Sequence, residues 1–107
     1  MEAGRLNSRV FIERRVMDPD AESITWEPVV DRKAYVRMLS GKEVIAADAP
    51  LSAVKASVRI RYRRALCTIL RPGMRAKVDD MVMRIETVQP DLVNREHIDL
   101  VCVIDER

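Results

Sequence analysis

The chain has 107 residues, 48% of them hydrophobic and 34% charged, with a net charge of +2 and two cysteines. That length suits one domain with a core of its own; the apolar share excludes a disordered chain, and two cysteines are too few for a disulfide-stapled scaffold. No apolar run approaches the roughly 20 residues of a membrane-spanning helix and the opening MEAGRLNSRV lacks an apolar signal core, so a soluble chain made in the cytosol, with no membrane partner, is expected.

The small net charge hides an uneven distribution. Residues 1–52 carry 8 basic and 9 acidic side chains, residues 53–78 carry 8 basic and no acidic ones, and residues 79–107 carry 3 basic and 8 acidic ones. A cationic middle followed by an acidic end predicts complementary surfaces, within the fold or between copies of it.

In SRVFIERRV (8–16), Val10, Ile12 and Val16 share one side with Arg14 and oppose Phe11, Glu13 and Arg15, the alternation of a half-buried strand. MDPDAESIT interrupts it, because Pro19 and the carboxylates of Asp18, Asp20 and Glu22 favour a turn. ITWEPVV (24–30) predicts a second strand whose Pro28, lacking an N–H, belongs at an edge or a bulge. KAYVRML (33–39) predicts a third, with Ala34, Val36 and Met38 opposed to Tyr35, Arg37 and Leu39. In SGKEVIAADAP (40–50), Ser40 followed by Glu43 is a capping-box pattern and Pro50 a stop, which predicts a long loop carrying one or two helical turns.

VKASVRIRYRR (54–64) alternates with few faults, Val54, Ala56, Val58, Ile60 and Tyr62 on one side and Lys55, Ser57, Arg59, Arg61 and Arg63 on the other. A weaker strand is expected around CTIL (67–70), a turn at Pro72-Gly73, a hairpin folding over Asp79-Asp80 within residues 75–88, and a further turn through Pro90 and DLVNRE. HIDLVCVI (97–104) ends the series with Ile98, Leu100, Cys102 and Ile104 inward. Six or seven short strands at this spacing predict an all-β fold: a small closed or partly open antiparallel β-barrel with one long loop carrying a short helix. Closure is favoured because it removes adhesive edges.

Catalytic and metal chemistry find little. The lone histidine, His97, lies between Glu96 and Asp99 and is expected at the surface; with Cys67 and Cys102 it has no recognisable ligand spacing, so the cysteines are expected as small buried hydrophobes. Asp79 and Asp80 are expected as turn formers, and three glycines cannot build a phosphate loop. No catalytic residue, metal or cofactor is therefore expected. The basic strand face is the stronger lead. Lys55, Arg59, Arg61 and Arg63 would meet either phosphates or the carboxylates of a neighbouring copy, for which Asp99, Asp105 and Glu106 are the acidic candidates. Base stacking is not expected, since no aromatic residue lies among these cations on their face.

The ordered series AGRLNSRVFIERR, Trp26, YVRMLSGKE (35–43), SVRIRYR (57–63), PGMR (72–75), MRIETV (83–88) and REHIDLVC (95–102) resembles the phage head-tail joining family, also called head-closure, head-tail adaptor or stopper proteins. It departs from the family at residues 64–74, where RALCTILRPGM replaces a short turn, and at Asp79-Asp80, where many members carry glycine. The resemblance implies a non-enzymatic virion protein of a phage or prophage, present in the host cytoplasm before assembly. It implies a small β-barrel that forms a homo-oligomeric ring between the portal or its adaptor and the tail completion protein, keeping packaged double-stranded DNA in the head and helping to close its channel. It also implies that the loop from about residue 40 to 53 faces that channel, with Gly41, Lys42 and Glu43 at the matched positions and Ser40 beside them as a further candidate. A ring needs a different patch on each side of the subunit, and the +8 and −5 segments would supply them. Neighbour contact is placed ahead of DNA contact, because a strongly cationic lining would grip a duplex that has to slide. The alternative is a free-standing nucleic-acid-binding module using the basic face of residues 55–63.

Overall fold

A computed structural model describes residues 8–20, 22–39 and 54–104. The alternation of Val10 and Ile12, fully buried, with an exposed Phe11 between them becomes strand β1 (Ser8–Asp18). It is followed by β2 (Ser23–Met38), β3 (Val54–Arg61), the short helix α1 (Arg64–Ile69), β4 (Arg75–Val78), β5 (Met81–Pro90) and β6 (His97–Ile104). All neighbouring strands are antiparallel, in the order β1-β2-β3-β6-β5-β4, and β4 returns to pair with β1, so one six-stranded sheet closes into a barrel. The core lies inside it. Ile12, Ile60, Leu70, Met83, Ile85, Ile98 and Leu100 are the larger side chains that fill it.

Three of the predicted elements differ in the structure. The strands expected at 24–30 and 33–39 are a single 16-residue strand, because β1 pairs with it continuously from Ser8↔Ala34 to Asp18↔Ser23 and Asp31-Arg32 are carried in the ladder opposite Phe11 and Val10. The irregularity expected at Pro28 is there: Ile12 faces Val30 but Glu13 faces Pro28, so Val29 is the extra residue of a bulge. The weak strand expected around residues 67–70 is instead the end of α1 and its cap Leu70, because Leu66 and Leu70, four residues apart, both reach the core when the segment coils, and the Leu70 N–H closes on the Leu66 carbonyl at 2.9 Å.

The turns follow their residue chemistry. Gly73 adopts φ +94°, a conformation that favours glycine, and its N–H donates to the Ile85 carbonyl at 2.8 Å. Asp79 takes φ +52° in the two-residue connection between β4 and β5, which an aspartate tolerates. Between β5 and β6 the Asp91 carboxylate accepts N–H bonds from Val93 (3.2 Å), Asn94 (3.1 Å) and Glu96 (3.4 Å), holding the exposed Leu92-Val93 tip in place. Those backbone donors, the Asn94 N–H foremost, hold the Asp91 pKa below the ordinary aspartate value.

The β1–β2 hairpin outruns the barrel. β1 pairs with β4 only from Phe11 to Glu13, and β2 pairs with β3 only from Ala34 to Met38. From Arg14↔Glu27 to Asp18↔Ser23 the two strands pair, among the described residues, with each other alone. The barrel therefore carries a two-stranded ribbon, along which Met17 and Ile24 form an exposed cross-strand pair.

Candidate interaction surface

The basic strand face divides into two halves that behave differently. Strand β3 lies between β2 and β6, so each of its outward side chains has a neighbour on both sides. Lys55, expected to face a neighbouring copy or DNA, is only 6% exposed, and its Nζ sits 2.7 Å from the Glu86 Oε1. The cause is a second bulge: Ile85 faces Cys102 and Thr87 faces Val101, which leaves Glu86 as the extra residue and turns its carboxylate toward Lys55. Arg59 stands directly opposite Asp99 and holds it with two parallel bonds, Nε to Oδ1 at 2.7 Å and Nη2 to Oδ2 at 2.9 Å. This pairing, through its hydrogen bond first, raises the Arg59 pKa above the arginine norm. Lys55 and Arg59 are thus neutralised within the chain, and Asp99, an acidic candidate for a neighbour, is taken up by Arg59.

Arg61 and Arg63 are exposed and make no ion pair among the described residues. They are joined by cations that a single-strand reading does not group with them. Ala34 faces Ile60 and Lys33 faces Arg9, so Lys33 comes alongside Arg61, which itself faces His97. Arg61 and Arg63 line two hollows at once: one of about 410 Å³ with Tyr62, Arg95 and Glu96, the other of about 270 Å³ with Arg9, Asp31, Arg32 and Lys33. Asp31 is already paired with Arg9. The result is a concave cationic surface assembled from four places in the chain. The Arg32-Lys33 pair was visible as residues, but only the register of β2 against β3 shows where it goes.

At the opposite extreme of the β1–β2 hairpin the sign reverses. No basic residue occurs between Arg15 and Arg32, and the exposed tip carries Asp18, Asp20 and Glu22. The Asp20 N–H donates to the Asp18 Oδ1 at 3.0 Å, which shapes the turn. Nearer the barrel, Arg14 pairs with Glu27, and Arg75 pairs with Glu13 while lying 4.3 Å over the Trp26 ring.

His97 is not the solvated surface histidine expected: its side chain is 22% exposed and lies between two carboxylates, Nε2 3.7 Å from the Asp99 Oδ2 and Nδ1 3.9 Å from the Asp91 Oδ2. The set His97, Cys67 and Cys102 is not brought together as a ligand group; among the described residues the converging group is Asp91, Glu96 and His97, whose ligand atoms lie within 4.8 Å of one another. Cys102 is buried as expected, and burial pushes its thiol pKa up to about 12. Cys67 is half-buried, with its Sγ 3.7 Å from the Arg63 carbonyl. Asp79 and Asp80 form the predicted hairpin turn. Ser40, Gly41, Lys42 and Glu43 of the expected channel loop, and Asp105 and Glu106 of the acidic set, lie outside the described residues. No helix among the described residues is long and apolar enough to cross a membrane.

Comparison with known proteins adds the family. The fold is similar to the solution structure of protein SF1141 from Shigella flexneri 2a, with a TM-score of 0.71 and 27% identity over 100% of this chain and 99% of that one. It is also similar to a chain from the virion of a native gene transfer agent particle, with a TM-score of 0.63 and 12% identity over 94% of each chain, a likeness of fold. No curated protein matches. The model of the phage head completion protein family matches residues 1–106. The chain belongs to the phage head completion protein family, a family of structural proteins of the phage particle.

Proposed function

We propose that the chain is a closure subunit of a phage or prophage particle: a ring of copies seated between the portal or its adaptor and the tail completion protein, joining the DNA-filled head to the tail and helping to retain packaged double-stranded DNA. The observation that carries this reading is the family match over residues 1–106 of a chain that folds as a small closed barrel. The likeness of fold to a chain from the virion of a gene transfer agent particle supports a place in a particle. In this reading the segment from residue 40 to 53, with Ser40, Gly41, Lys42 and Glu43, faces the channel, and the cationic surface around Arg61 and Arg63 contacts a neighbour.

The test is assembly without the chain. Particles lacking it should accumulate as DNA-filled heads without tails whose DNA becomes accessible to nuclease, and adding the purified chain should restore tails. Deleting Val44 to Ala49 should leave the barrel folded and the DNA leaking, because closure entropy changes slowly with loop length. Tailed, nuclease-resistant particles formed in its absence would refute the role. The cations of the two hollows that make no ion pair among the described residues favour a second reading, a nucleic-acid-binding module. Steeply salt-dependent retention of duplex DNA by the isolated chain distinguishes it.

A further inference from the structure

Two features of the molecule, an outlying strand ribbon and a cationic concavity, are complementary to one another. At its base the ribbon of the β1–β2 hairpin touches the barrel, where Arg75 lies over Trp26, but toward its tip its outer edges pair with no other strand among the described residues, and a two-stranded ribbon alone is marginal in water. The cationic hollows gather Arg32, Lys33, Arg61, Arg63 and Arg95, none of which makes an ion pair among the described residues. The two features are opposite in sign, since the ribbon ends in Asp18, Asp20 and Glu22. They also lie at opposite ends of one hairpin: Arg9↔Lys33 pair at its base and Asp18↔Ser23 at its tip. The strand between them spans about 30 Å at roughly 3.3 Å per residue. No copy can therefore place its own tip in its own hollow.

We infer that the acidic tip of the β1–β2 hairpin docks into the cationic hollow around Arg61 and Arg63 of a second copy of this chain. The inference rests on the ring reading and supplies its contact. A tip meeting a hollow joins two different patches, which is the heterologous geometry that a ring requires. Docking gives cations to the tip carboxylates of Asp20 and Glu22, which make no ion pair among the described residues, supports the ribbon at its free end and brings the exposed Met17–Ile24 pair toward the neighbouring barrel. A second copy fits the hollows better than a duplex does, because a narrow turn bearing side chains enters a concavity of a few hundred Å³ whereas a duplex presents a convex cylinder.

The test uses particles assembled with the full chain. Treatment with a carbodiimide, which joins a carboxylate directly to an amine, should yield a peptide linking Asp20 or Glu22 to Lys33, a bond that a single copy cannot make across about 30 Å. A tip-reversed chain (Asp20→Lys with Glu22→Lys) and a hollow-reversed chain (Arg61→Glu with Arg63→Glu) should each be incorporated about tenfold less or worse. An equimolar mixture of the two should restore incorporation, because alternating copies set each reversed surface against the other. Melting temperatures of the free chains establish folding, and Asp20→Asn with Glu22→Gln stands in for the tip-reversed chain if lysines there prevent it. Normal incorporation of both reversed chains would overturn the docking and leave the ring intact. Particles containing one copy, with no contact between copies, would overturn the ring reading itself. A hollow-reversed chain that assembles normally but loses retention on immobilised duplex DNA would assign the hollow to phosphate and overturn the inference.

Discussion

Leu100→Ala tests the barrel at its closure. Leu100 is fully buried on β6 and stands between Val58 of β3 and Val88 of β5, so strands on both sides fix its position. Truncation removes three carbons, about 2.4 kcal/mol of transfer free energy at roughly 0.8 kcal/mol per carbon. The void that remains adds to this at about 24 cal/mol per Å³, and strands hydrogen-bonded on both sides cannot close it fully, for a total of about 3 to 4 kcal/mol. Urea unfolding should show that loss as a lower midpoint at unchanged slope, and the melting temperature should fall by about 12 °C or more. The control is Leu92→Ala at the exposed tip of the β5–β6 turn, 70% exposed, which should stay within about 0.5 kcal/mol of the parent. A Leu100→Ala change as small as the control's would mean that β6 presents its other face to the core, and the register of the whole closing strand would be wrong.

Glu86→Ala strips the buried Lys55 ammonium of its partner and should destabilise by about 1 to 3 kcal/mol, while Lys55→Met, of similar length and uncharged, should be nearly neutral; equal losses in unfolding experiments would refute the desolvation account. Because the folded pKa of Asp91 is depressed, the stability it contributes is present above the unfolded value of about 3.9 and is lost as pH falls through the folded one. NMR titration should therefore place the Asp91 midpoint below that of an unstructured aspartate, and Asp91→Asn should flatten the acid limb of stability; an ordinary midpoint would show that the turn does not need the ionised carboxylate. A thiol reagent at neutral pH should modify Cys67 in the folded chain and reach Cys102 only on unfolding, and equal rates would contradict the burial of Cys102.

The strands and their inward faces were legible in the chain, because period-2 alternation is a local property: Val10 and Ile12, Ala56 to Ile60, and Ile98 to Cys102 bury the predicted sides. Turn chemistry was equally local at Pro72-Gly73 and Asp79-Asp80. The short helix was not, since RALCTI has no long repeat, and what coils it is the core waiting for Leu66 and Leu70. The ordered run of segments was also enough to identify the family. The fate of each charge could not be read locally. Lys55, Arg59 and Arg61 are equivalent as alternating cations on one strand, yet the first is buried against Glu86 by a bulge in β5, the second is clamped by Asp99 across the β3–β6 ladder, and the third is left open beside Lys33. Sequence alone determined the inward face along the middle of the strands, because alternation depends on the chain's own pleat, while at strand ends Met38 is exposed and Val103 buried against the alternation. The tertiary structure decided which outward charges remain available, because a charge is neutralised by whatever the closing sheet brings within about 4 Å of it, from residues 31 to 40 positions away.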